Sequence, residues 1–96
     1  GTIVVTLGGQ GAVVCSEDGR FHVPALPVEV VDSTAAGDSF VGGLAAALVR
    51  GDDLEKAVRY AVCAGGLAVT RLGAQPSIPT HQDVIKRLAS LSINRF

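Results

Sequence analysis

The chain has 96 residues, 48% of them hydrophobic and 18% charged, with a net charge of −1. That length suits one small domain, and the scattered basic residues exclude the clustered positive face of a nucleic-acid binder. No apolar run nears the ~18 residues that would span a bilayer, and Cys15 and Cys63 have neither CxxC nor metal-ligand spacing, so membrane passage and a cysteine metal site are both excluded.

"TIVVTL" (2–7) predicts a short strand buried on both faces. "GGQG" interrupts it, "AVVCS" (12–16) resumes as a strand, and Glu17-Asp18-Gly19 reads as a hairpin turn. "RFHVPAL" continues extended, broken at Pro24 and Pro27, and "VEVVD" (28–32) makes another strand. From Asp38 to about Arg50 the pattern is helical, and Gly51 is a natural stop. Asp52 is then expected to cap a second helix, with Glu55 completing a capping box. That helix would bury Leu54, Ala57, Val58, Ala61, Val62, Gly65, Ala68 and Val69, with Glu55, Lys56 and Arg59 on its wet side. "RLGAQPSIP" (71–79) reads as a loop. Thr80 caps a last helix from His81 to about Ser90, with Val84, Ile85 and Leu88 inward, and the tail "SINRF" reads as frayed.

Aromatics are few (Phe21, Phe40, Tyr60, Phe96), so small aliphatics must pack closely. Gly-Gly-Leu-Ala occurs at 42–45 and 65–68, which reads as two helices that need close approach. Strands first and helices after predict an α/β layer. There is no methionine, and a strand opens the chain at once, so it reads as residues 1–96 of a longer polypeptide whose first strand has lost a neighbour. Uncrosslinked, buried thiols fit a cytoplasmic protein. His22 reads as a strand surface residue and His81 as part of a capped first turn, neither with metal-ligand company.

The candidate chemistry lies in "VDSTAAGDSF" (31–40). A helix N-terminus offers free N–H groups and about half a positive charge, and small residues there let an oxyanion reach the backbone. Thr34-Ala35-Ala36-Gly37 has that character, and Asp38 would stand beside a bound alcohol as a proton acceptor. The bland reading is a tight corner with an aspartate complementing the helix dipole, worth ~0.3–1 kcal/mol. From these residues alone both readings stand.

"VDSTAAGDSFVGGLAAAL" resembles the C-terminal signature of the ribokinase-like carbohydrate kinases, the family that includes phosphofructokinase-B and adenosine kinase. "VTLGGQGAVV" and "AVRYAVCAGGLAVTRLGAQPSIPT" resemble further segments of that family in order and spacing, so the likeness covers residues 2 to about 88. It implies the C-terminal part of a three-layer α/β/α fold, with ATP, Mg²⁺ and a monovalent cation (K⁺) as cofactors. It also implies a sugar as the other substrate, and a homodimeric parent whose N-terminal part is missing here. "GAQPSIP" is closer to the ribokinase branch than to fructokinase, implying ribose as acceptor and ribose 5-phosphate as product.

By that resemblance Asp38 would be the general base and would also bond the sugar. Ala35, Ala36 and Gly37, with the Asp38 amide, would form the anion hole. Thr6, Gly8 and Gly11 would line the ATP site, though a plain turn explains the glycines on spacing alone, since they fit neither GxGxxG nor a P-loop. Val62 would offer the adenine an apolar wall where relatives carry His or Asn. Asp32, Thr34, Ala68, Arg71, Gly73 and Ser77 match the positions that hold the cation, Asp32 and Ser77 by side chain and the others chiefly by carbonyl oxygen. Mg²⁺ ligands would lie upstream of residue 1, and the piece alone is expected to be inactive. Two other classes compete: a nucleotide- or anion-binding module without catalysis, and a dinucleotide-dependent oxidoreductase, which would need a glycine fingerprint that is absent.

Overall fold

In this chain the alternation of side chains along the strands decides which way the sheet faces. The structure, a computed structural model, describes residues 1–26, 36–68, 80–88 and 91–95. Strands β1 (Ile3–Thr6), β2 (Ala12–Ser16), β3 (Gly19–Val23) and β4 (Asn94–Arg95) form one antiparallel sheet in that order. Val4 lies opposite Val14, Val14 opposite Phe21, and Ala12 opposite Val23, so these side chains share one face. That face packs into one hydrophobic cluster with Val58, Ala61 and Val62 of the helical layer.

The other face corrects an expectation. β1 is not buried on both sides: Ile3 is 64% and Val5 46% exposed, because no described residue covers that side of the sheet. The hairpin at 17–19 forms as read, with Ser16 opposite Gly19. The tail is a second correction. Residues 94–95 pair with His22 and Phe21, held by an ion pair of 2.6 Å from Arg95 to Glu55 and by the Arg95 guanidinium 6.0 Å from the centre of the Phe21 ring.

Helices α1 (Ala36–Val49) and α2 (Leu54–Ala68) form an antiparallel hairpin, and α3 (His81–Arg87) packs on α2. Gly51, at φ +98°, closes α1 through bonds from its own N–H to Leu48 O and from Asp52 N–H to Ala47 O. The cap of α2 is Asp53, not Asp52: its carboxylate accepts from the Lys56 N–H at 2.8 Å, while Asp52 pairs with Arg50 at 2.6 Å and Glu55 with Arg95. α2 is buried on nearly every side, including Tyr60, Cys63, Ala64 and Leu67, so its wet side is narrower than the sequence pattern suggests. Arg59 is half-buried rather than exposed.

Thr80 caps α3 through a reciprocal box with Asp83. Val84 points inward but Ile85 is 47% exposed, since only one narrow stripe of this short helix meets α2. The two Gly-Gly-Leu-Ala segments do allow close approach. A side chain at Gly43 would meet Ala64 Cβ at 3.1 Å, and one at Gly65 would meet the Ala36 carbonyl oxygen at 3.2 Å. The expected strand at 28–32 and loop at 71–79 lie outside the described residues.

Candidate active site

Because α1 and α2 are antiparallel, the first turn of α1 lies beside the last turn of α2, and Gly65 is what permits the contact. The helix begins two residues earlier than the sequence pattern indicates. Ala36, Gly37 and Asp38 therefore sit inside its first turn, and their N–H groups are among those that no intrahelical carbonyl satisfies. Ala36 is half-buried, whereas Gly37 and Asp38 are exposed, and no described residue lies within 4 Å of the position a side chain would take at Gly37. An oxyanion could thus approach the backbone with a carboxylate alongside. Ser39, next in the turn, is buried with its hydroxyl unpartnered among the described residues, a feature the sequence did not flag.

Thr6 ends β1 on an exposed position, and Gly8 opens the 3₁₀ turn Gly8–Gln10 that follows. The turn is closed by Leu7 N–H to Gly11 O (2.7 Å), Gln10 N–H to Leu7 O (3.1 Å) and Gly11 N–H to Gly8 O (3.1 Å). His22, unassigned from sequence, donates from Nε2 to the Gln10 carbonyl at 2.6 Å and hooks this turn to β3. Gly11, at φ +91°, is glycine for a reason of its own: a side chain there would run into the Val23 carbonyl oxygen and the Pro24–Ala25 backbone.

Val62 is only 5% exposed and packs in the core. Of the positions matched to a cation, Ala68 alone is described: it is the last residue of α2 and fully buried. Carbonyls at a helix C-terminus lack intrahelical donors and carry partial negative charge, so the donor chemistry there suits a hard cation. Asp32, Thr34, Ala35, Arg71, Gly73 and Ser77 lie outside the described residues.

The hairpin thus joins an anion-favouring helix end to a cation-favouring one. Over residues 1–81 the chain matches the pfkB family carbohydrate kinases. It is 37% identical over 87 residues to the ribokinase of Haemophilus influenzae, covering 91% of this chain and 28% of that protein. It is 39% identical over 95 residues to fructokinase-1 of Oryza sativa, covering 92% of this chain and 29% of that protein. The ribokinase of Arabidopsis thaliana complexed with ribose and ATP superposes with a TM-score of 0.84 at 35% identity, over 91% of this chain and 28% of that one. Phosphofructokinase-2 of Escherichia coli in complex with potassium superposes with a TM-score of 0.81 at 34% identity, over 92% and 28%. A further E. coli structure, with ATP and Mg²⁺, gives a TM-score of 0.86 at 38% identity, over 92% and 29%. The chain therefore spans under a third of the length of each of these proteins.

Proposed function

The chain belongs to the pfkB family of carbohydrate kinases, and from that membership we propose that it is the ATP-facing portion of a longer sugar kinase. The reaction is transfer of the γ-phosphate of ATP to a sugar hydroxyl, with ribose as acceptor and ribose 5-phosphate as product. One observation carries this reading: Gly37 and Asp38 stand exposed in the first turn of α1, with no described residue occupying the space at Gly37. The free N–H groups of residues 36–38, with Ala35, would stabilise charge on the phosphoryl group in flight. The Asp38 carboxylate would hold the sugar hydroxyl and accept its proton as the new oxygen–phosphorus bond forms.

Thr6, Gly8 and Gly11 border the turn we assign to the nucleotide, with Gly11 also fixing that turn against β3. A K⁺ held by Asp32, Thr34, Ala68, Arg71, Gly73 and Ser77, with Mg²⁺ on the phosphates, would supply positive charge behind and beside the transferred group. The uncovered sheet face at Ile3 and Val5 supports a longer polypeptide that covers it. Free Cys15 and Cys63 favour a cytoplasmic setting.

Fructose is the competing acceptor, since the rice fructokinase is as similar to this chain as the ribokinase is. The test is ATP turnover by the complete polypeptide against pentoses and hexoses, in K⁺ and in Na⁺ buffers. Asp38→Asn should lower kcat by roughly 10²–10⁴ while leaving ATP affinity within a few-fold. A near-normal rate in that variant would remove the general-base assignment. Equal rates in the two buffers would remove the cation assignment and leave the rest.

A further inference from the structure

At the far end of α1, about 20 Å from Asp38 for a helix of this length, a second cluster of ionisable groups surrounds a cleft. The cleft has a volume of about 290 Å³ and lies between the α1–α2 turn and α3. Its groups come from residues far apart in sequence. Arg50 is fully engaged: it pairs with Asp52 at 2.6 Å, lies 4.7 Å from the centre of the Tyr60 ring, and reaches His81 Nδ1 at 3.3 Å. The Arg50 guanidinium beside Asp52 holds that carboxyl below its usual range, so the two charges cancel. Tyr60 O–H lies 2.7 Å from His81 Nδ1, and the two rings stack at 5.5 Å.

Three cations, Arg50, Lys56 and Arg59, line the cleft against one carboxylate, Asp52, which pairs with Arg50 and also faces the charge of Lys56. Lys56 is exposed at the rim. Arg59 donates one Nη to the Leu88 carbonyl at 3.3 Å, while its Nε–H is buried with no acceptor among the described residues. The cleft lining therefore carries excess positive charge, which an oxyanion held by charge-assisted hydrogen bonds would offset. The opposite wall is apolar, formed by Leu88 and by Ile85, which is 47% exposed.

We propose that this cleft binds a small organic phosphate, its phosphoryl oxygens taken by Lys56 and Arg59 and its carbon body laid along Ile85 and Leu88. The volume suits a monophosphate on a small body. The site is separate from the reaction assigned to Asp38 and stands or falls independently of it.

The test titrates phenyl phosphate, inorganic phosphate and benzyl alcohol into the complete polypeptide, following the Arg59 Nε–H and His81 ring resonances. These report this cleft and not the end of α1 that carries Asp38. Phenyl phosphate should give saturable shifts, with an affinity on the order of tenfold above inorganic phosphate from the buried ring. Lys56→Gln, an exposed change that leaves the fold intact, should weaken binding about five- to tenfold, and Arg59→Met should abolish it. Shifts that stay linear with concentration would overturn the proposal. So would an affinity untouched by Lys56→Gln, or benzyl alcohol binding as well as phenyl phosphate. Inorganic phosphate binding as tightly as phenyl phosphate would overturn the role of the apolar wall.

Discussion

Replacing Gly11 with alanine tests the turn assigned to the nucleotide. Gly11 sits at φ +91° and ψ −134°. An alanine Cβ there would run into the Val23 carbonyl oxygen and lie 2.7 Å from Ala25 N and 2.8 Å from Pro24 C. All three neighbours are backbone atoms, so no rotamer change relieves them and the end of β3 itself must move. The unfavourable backbone conformation costs ~1–3 kcal/mol and the overpacking a further ~1–3 kcal/mol, or about 2–6 kcal/mol together. Against a total stability of about 5–14 kcal/mol for a chain of this size, that is a large share. Gly8→Ala is the control. Its φ is +57°, but no described residue lies within 4 Å of the added methyl, so only the conformational cost of about 1–2 kcal/mol applies. Urea unfolding followed by circular dichroism should place the midpoint of Gly11→Ala well below that of Gly8→Ala. If the two variants unfold together, or Gly8→Ala first, the contact with β3 is not what demands glycine.

Gly65→Ala should press the Ala36 carbonyl, 3.2 Å from the new methyl, and shift the first turn of α1 by a few tenths of an ångström. Steady-state kinetics should show kcat falling roughly tenfold with less than about 1 kcal/mol of stability lost, because misplacement costs the transition state more than the fold. Thr80→Ala removes one half of the capping box on α3 and should cost about 1 kcal/mol by thermal unfolding. Burial pushes the Cys63 thiol up to about 11, so a disulfide reagent at pH 8 should label half-buried Cys15 first and Cys63 only on unfolding. The unfolded chain releases the Cys63 proton near pH 9 while the folded chain keeps it. Stability should therefore decline as pH rises from about 9 to about 11, as read by urea midpoints across that range.

Local patterns announced themselves in the sequence and tertiary coincidences did not. The 17–19 hairpin, the stop at Gly51 and the Thr80 cap each depend on a few adjacent residues, and all three were readable. The twin Gly-Gly-Leu-Ala segments were readable because close helix packing has a compositional cost that shows. By contrast, β4 is two residues long and owes its place to Arg95 meeting Glu55 and Phe21, partners 40 and 74 residues away, which no window of sequence displays. Asp52 and Asp53 are equally good caps by type, and it is the pull of Arg50 on Asp52 that decides between them. The exposure of β1 was missed because an apolar strand implies a covering layer, and the described residues supply that layer on one side only. Around Asp38 the chemistry was legible from small residues beside a carboxylate, while the buried hydroxyl of Ser39 became visible only in three dimensions.

The α1–α2 hairpin is closed by a turn of a few residues, Arg50 to Asp53, and the β1–β2–β3 meander by turns equally short. Both units can therefore assemble quickly from neighbours along the chain, with little loop entropy lost before contacts form. Pairing of β4 with β3 joins residues from opposite ends of the described chain, so it closes the longest loop and forms after both units. The end of α1 that carries Asp38 would thus be framed by local contacts before β4 pins the sheet to the helices.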